Sequence, residues 1–124
     1  MKLRIKGDSL RLRLTQGEVT ELAQHGVVAD CVRFGDGVSL LYRLTRDRHV
    51  QAIAASYGDG VIDVRLPDAA ALQWCRSTEV TLAGEQPAAV DAELRIVVEK
   101  DFACSTAREG EDESDNFPNP NQSC

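Results

Sequence analysis

Lys2-Leu3-Arg4-Ile5-Lys6-Gly7-Asp8-Ser9-Leu10-Arg11-Leu12-Arg13-Leu14 is the stretch whose reading decides the fold. Basic and apolar residues alternate on both sides of Gly7-Asp8. Period-two alternation describes a strand with one buried face. Gly-Asp is a two-residue hairpin turn, because glycine accepts positive φ without a Cβ clash. If Lys6 meets Ser9, then Ile5 faces Leu10, Leu3 faces Leu12, Arg4 faces Arg11 and Lys2 faces Arg13. One face is then wholly apolar and the other wholly basic. Like charges directly opposite one another are destabilising, so a negative group is expected close to this face.

Outward from the hairpin, Thr15 to His25 reads as a helix. Thr15 and Glu18 form a capping box, Val19, Leu22 and Ala23 an apolar stripe, and Gly26 a stop. Val27 to Phe34 and Val38 to Thr45 read as strands across Gly35-Asp36-Gly37. Val50 to Tyr57 and Val61 to Leu66 read as another hairpin across Gly58-Asp59-Gly60. Pro67 opens a second helix through Ala71, Leu72, Trp74 and Cys75. Thr78 to Ala83 and Ala92 to Glu99 read as the last strands. The order strand-strand-helix-strand-strand thus occurs twice. Sliding the chain by 52 residues, without a gap, lays Leu10, Leu12, Leu22, Tyr42 and Leu44 on Ile62, Val64, Trp74, Leu94 and Ile96. The same shift lays Val28, Val38 and Arg43 on Val80, Val90 and Arg95. An internal duplication is expected.

The chain has 124 residues, 14 Lys+Arg and 20 Asp+Glu, a net charge of -6. That length is one domain. Hydrophobic residues at 43% place it among folding chains. The charge is uneven. Residues 1–50 carry nine basic and six acidic side chains, residues 51–100 four and eight, and residues 101–124 one and six. A net acidic sum therefore leaves a locally basic hairpin in place. Residues 101–124 combine the run Arg108-Glu109-Gly110-Glu111-Asp112-Glu113-Ser114-Asp115 with Asn116-Phe117-Pro118-Asn119-Pro120-Asn121. That composition reads as a flexible tail, with docking through Phe117 and the prolines as the alternative. No stretch of about 18 apolar residues and no apolar signal core occurs, which implies a cytoplasmic, non-membrane protein.

Ile5-Lys6-Gly7-Asp8-Ser9-Leu10-Arg11-Leu12-Arg13-Leu14 resembles the opening of swapped-hairpin proteins of the AbrB, MazE and MraZ types. Val64-Arg65-Leu66-Pro67 before a helix, and Glu79-Val80-Thr81-Leu82 after it, resemble their later segments. The resemblance covers residues 2–98. The sequence departs from it at Thr15, where a proline is usual, and at His25-Gly26 and Ser77-Thr78, where Gly-Asp is usual. The resemblance implies an α+β, mostly antiparallel domain at residues 1–100. Half-units 1–47 and 48–100 would interlock into a barrel-like core, followed by a flexible acidic tail at 101–124. The whole chain also resembles a small bacterial family of unknown function with an MK-x-RIKG start and a KDFxC end.

In swapped-hairpin proteins, DNA contacts come from basic residues around this hairpin, which here are Lys2, Arg4, Lys6, Arg11 and Arg13. Such side chains neutralise phosphates, and arginine forks onto guanine edges. The alternatives are a solvated face or one covered by the tail. In the second half Asp63 replaces Arg11 and only Arg65 remains. The expected function is a non-enzymatic DNA-binding or regulatory one. A second reading is an antitoxin-like module that binds a protein through residues 101–124, and a third is a small-anion-binding barrel. A monomer or homodimer fits all three.

No cofactor is expected. Cys31, Cys75, Cys104 and Cys124 form no C-x-x-C pair. Cys31 and Cys75 read as small buried hydrophobes. Cys104 and Cys124 bracket the tail and read as a bridge or as weak metal candidates, with Asp101 or His49 as further ligands. His25 and His49 lie in no catalytic motif. Gly35, Gly37, Gly58 and Gly60 read as hairpin turns, and Trp74 as core.

Overall fold

The computed structural model describes residues 1–103 and 114–118. Cys104 and Cys124, and most of the acidic run, lie outside the described residues. The elements are β1 (Lys2–Ile5), β2 (Ser9–Leu14), α1 (Gln16–His25), β3 (Val27–Gly35) and β4 (Val38–Asp47). Then come β5 (Ala54–Gly58), β6 (Val61–Pro67), α2 (Asp68–Arg76), β7 (Thr81–Ala89) and β8 (Ala92–Lys100). The fold is α+β, and the ββαββ order is present twice.

The first hairpin forms in the expected register: Lys2 opposite Arg13, Leu3 opposite Leu12, Arg4 opposite Arg11, Ile5 opposite Leu10. Its turn places Gly7 at φ 53°. Helix α1 starts with the full capping box. The Thr15 hydroxyl accepts from the Glu18 N–H, and the Glu18 carboxylate accepts from the Thr15 N–H at 2.9 Å. Two elements differ from expectation. β5 begins at Ala54 rather than Val50, and β7 runs from Thr81 to Ala89 through Gly84 and Pro87, where the sequence suggests a loop. Proline is tolerated there because β7 is an edge strand and that N–H need not reach a partner.

The expected barrel-like core is not what forms. The strands make two open four-stranded sheets, ordered β1-β2-β8-β7 and β3-β4-β6-β5. Each half-unit gives one hairpin to each sheet. The hairpins join through parallel central pairs, β2 with β8 and β4 with β6. All other pairs are antiparallel. The edges β5 and β7 meet through a side chain instead of a backbone ladder. The Gln86 amide accepts from the Ala55 N–H and donates to the Ala55 carbonyl, both at 2.8 Å. A side-chain bridge of this kind leaves both sheets open.

The repeat also differs from a gapless 52-residue slide. β1, β2 and α1 map onto β5, β6 and α2 with that shift, whereas β3 and β4 map onto β7 and β8 with a shift of 54. The hydrogen bonds obey the same rule. Arg95 N–H donates to Asp8 C=O at 2.9 Å, as Leu41 N–H does to Gly60 C=O at 2.8 Å. Arg46 N–H donates to Gly26 C=O at 2.9 Å, as Lys100 N–H does to Val80 C=O at 3.1 Å. So Leu44 corresponds to Val98 and not to Ile96, and Val28 to Leu82 and not to Val80. The extra residues lie after α2. Gly26, at φ 81°, turns α1 straight into β3. Ser77 is extended, at φ -114°, so the chain takes the longer path Ser77–Val80 to β7.

Both half-units feed one core. Leu12, Leu14, Leu22, Leu44, Val64, Leu66, Trp74, Ile96 and Val98 are all fully buried. Trp74 donates its indole N–H to the Val80 carbonyl at 3.0 Å, so it is a satisfied core residue as expected.

The described tail residues are docked rather than loose. Asp101 is 3% exposed. Phe117 accepts from the Ala103 N–H at 2.6 Å and donates to the Asp101 carbonyl at 2.7 Å. Its ring lies 5.6 Å from that of Phe102. Asp115 covers the start of α1, accepting from Gln16 N–H at 3.0 Å and from Gly17 N–H at 3.1 Å. A Cβ on Gly17 would stand 2.8 Å from that carboxylate, so a side chain at 17 would displace it. Of the expected tail anchors Phe117 docks, Pro118 is exposed and Pro120 lies outside the described residues.

Candidate nucleic-acid interface

Alternation along β2 turns Leu12 and Leu14 into the core and Arg11 and Arg13 to the outer face of the sheet. Cross-strand pairing then sets Arg4 beside Arg11 and Lys2 beside Arg13. All five basic residues read from the sequence come together on this one hairpin.

The negative group that the like-charge pairs require is on β8. Parallel pairing brings Glu99 alongside Arg13. Its carboxylate accepts from Arg11 Nη1 at 2.9 Å and from Arg13 Nε at 2.7 Å. Lys2 pairs with the Asp101 carboxylate at 3.0 Å. One carboxylate thus serves two arginines. Arg4 and Lys6 are exposed and, among the described residues, have no acidic partner. The face keeps a net positive charge toward its turn. Nearby on β8, Arg95 faces Glu85 of β7 at 3.5 Å, both exposed. Among the described residues, the tail contributes only Asp101 to this face. Asp115 and Asn116 sit on the start of α1 instead, and Phe117 on Asp101 to Ala103.

The equivalent face of the other sheet carries the opposite arrangement. Asp63 stands where Arg11 does in the first half and is 5% exposed. It accepts from Arg65 Nε at 2.9 Å, lies 3.2 Å from Arg43 Nε, and takes the Thr45 hydroxyl at 3.3 Å. Arg65 also pairs with Asp47 at 2.5 Å. The His49 backbone N–H and the Arg65 guanidinium hold the Asp47 carboxyl below its usual range. Two arginines here meet two carboxylates, and the cluster is balanced.

The chain belongs to DUF7009, a family of unknown function. The family model matches residues 1–121, both half-units and the docked Phe117 segment included. No curated protein and no solved structure matches the chain. Within this DUF7009 fold, no group of three or more His, Cys, Asp or Glu side chains is placed to hold a metal among the described residues. None of its described helices is long and apolar enough to cross a membrane.

Cys75 is half-buried, and burial pushes its thiol up, whereas Cys31 is exposed on β3 and not buried as the sequence suggests. His25 ends α1 and His49 lies in the turn after β4, both where the sequence places them. Sequence reasoning missed Glu99 and Asp101 as the counter-ions of the hairpin. Its only trace of them was the pair of like-charge contacts that required a negative neighbour. It also missed an open apolar groove of about 310 Å³ between the sheets, lined by Leu10, Ile62, Leu94, Ala55 and Tyr57. Residues from five strands and both half-units build it, Gln86 of β7 included, and no local motif announces such a groove.

Proposed function

We propose that this chain is a non-enzymatic DNA-binding regulatory protein that engages the duplex through the outer face of the β1–β2 hairpin. The observation that carries this reading is the charge imbalance of that face. Arg4 and Lys6 stand exposed beside Arg11 and Arg13, which share the single carboxylate of Glu99. The hairpin forms one edge of a four-stranded sheet, so its turn end, with Arg4 and Lys6, is the part that enters a major groove about 12 Å wide, where arginine reads guanine and lysine meets phosphate. The resemblance of the hairpin to that of swapped-hairpin DNA binders, and the exchange of hairpins between half-units, support the same reading. Glu99 acts on this account as an internal competitor for phosphate, holding two arginines until DNA displaces it.

The test is fluorescence anisotropy on a labelled duplex across a salt series. Affinity is expected to fall linearly on a log-log plot, with a slope of about -0.9 per phosphate neutralised. Arg4→Glu with Lys6→Glu should abolish binding at ~150 mM salt while leaving the fold intact, since both side chains are exposed. Unchanged affinity in that double variant, or no binding at any salt concentration, would refute the hairpin as the interface.

A further inference from the structure

The two sheets have four edges, and three of them are protected. β1 is four residues long and carries Lys2 and Arg4. Short, charged edges resist strand addition. The outward N–H and C=O of Ala55 on β5 are both taken by Gln86. β7 carries Glu85 and Pro87, the proline having no N–H to offer.

β3 is the least protected of the four, with Asp30 and Arg33 as its charges and one bulge, at Phe34. It is nine residues long, and only Val28 is buried. Among the described residues, no backbone hydrogen bond beyond those to β4 reaches it. The 54-residue equivalence sharpens the contrast. Where β7 has Glu85, Gln86 and Pro87, β3 has Cys31, Val32 and Arg33. The proline and the bridging glutamine that protect β7 are thus missing from β3 at the matching positions. Val32 is 41% and Phe34 66% exposed.

We infer that β3 is a dimerisation edge, pairing antiparallel with β3 of a second copy of this chain about a two-fold axis at Cys31. The strand is self-complementary in that register. Cys31 is the midpoint of Val27–Gly35 and of the regular stretch Ala29–Arg33, which ends at the bulge at Phe34. Phe34, exposed at the bulge, lies next to the Val28 end of the second copy's strand. Asp30 lies opposite Val32, and Ala29 opposite Arg33, so no like charges face each other directly. An axis at Asp30 would set two carboxylates against each other and leave Phe34 without a partner. An axis at Val32 would leave Val27 and Val28 without partners. The Cys31-centred pairing avoids both faults. Two four-stranded sheets become one eight-stranded sheet. The interface is separate from the basic hairpin and does not depend on what that hairpin binds.

Light scattering during gel filtration of the full chain should give about 27 kDa at ~100 µM, twice the 13.5 kDa of one copy. Val32→Lys places a charge on the edge without touching the core. It should raise the dimer dissociation constant by roughly tenfold or more, with circular dichroism confirming an unchanged fold. A second readout uses a chain whose only cysteine is Cys31, made with Cys75→Ala, Cys104→Ser and Cys124→Ser. Directly opposed antiparallel residues have Cα atoms about 4.5–5.5 Å apart, inside disulfide range. Mild oxidation should therefore link the copies. A monomer at every concentration would overturn the inference. So would a dimer that ignores Val32→Lys and yields no Cys31–Cys31 disulfide.

Discussion

The two half-units share a path and differ in what they put on it. In the first, an arginine pair shares one carboxylate on the outer face, a glycine turns helix into strand, and the long strand edge is open. In the second, an aspartate sits between arginines, a four-residue link replaces the glycine, and the edge carries proline and a bridging glutamine. The difference teaches that the duplication supplies the frame and that the exposed charge is concentrated on the first half. The shared core positions are filled alike, whereas the exposed positions diverge.

The largest expected effect concerns the buried helix faces. Leu22 and Trp74 are equivalent and both fully buried. Trp74→Ala should cost about 3–5 kcal/mol, and Leu22→Ala a smaller amount at the low end of about 2–5 kcal/mol. The substitution at 74 removes more volume and takes one donor from the Val80 carbonyl. Urea unfolding of both variants measures this, and equal costs would mean that the two helices load the core equally.

Next comes the link. Gly26→Ala should destabilise by about 1–2 kcal/mol, because its left-handed φ of 81° is strained for alanine. The space itself is ample, the nearest atom being an Arg46 guanidinium nitrogen at 3.6 Å. Ser77→Ala, in the extended link of the second half, should stay within about 0.5 kcal/mol. Similar thermal shifts for the two variants would break the contrast between the links.

Smaller still is an acid effect confined to the second sheet. The Asp47 carboxyl is held low by the His49 N–H and Arg65. The unfolded chain therefore binds this proton more readily than the folded one. The stabilisation is complete above the ordinary aspartate range and is lost as pH falls through the lowered folded value. Asp47→Asn should flatten that part of the acid limb in a circular-dichroism titration, and an unchanged acid limb would remove Asp47 from the account.

Much of this was legible in the sequence. Alternation around Gly7-Asp8 sets the first hairpin to the residue, and the Thr15–Glu18 pair sets the start of α1. The repeat offset was legible only in part, for a physical reason. Side chains alternate with period two, so shifts of 52 and 54 place the same faces inward, and the apolar pattern matches both. Only the conformations of Gly26 and Ser77 separate them. The sequence reading ends that strand at Ala83, whereas β7 runs on through Gly84 and Pro87, residues that usually interrupt strands and that an edge position excuses. The open sheets were not legible, because parallel pairing between halves has no local signature. Glu99 was implied but not identifiable, since Arg11 is 88 residues away in sequence.

The central claim is that one half carries a charged binding face and the other a neutralised copy of it. Anisotropy of a labelled duplex with Glu99→Gln and Asp63→Asn tests it most directly. Glu99→Gln frees two arginines. It should tighten binding and steepen the log-log salt slope by up to about 2, while Asp63→Asn leaves both unchanged. Equal responses from the two variants, or none from Glu99→Gln, would contradict the account.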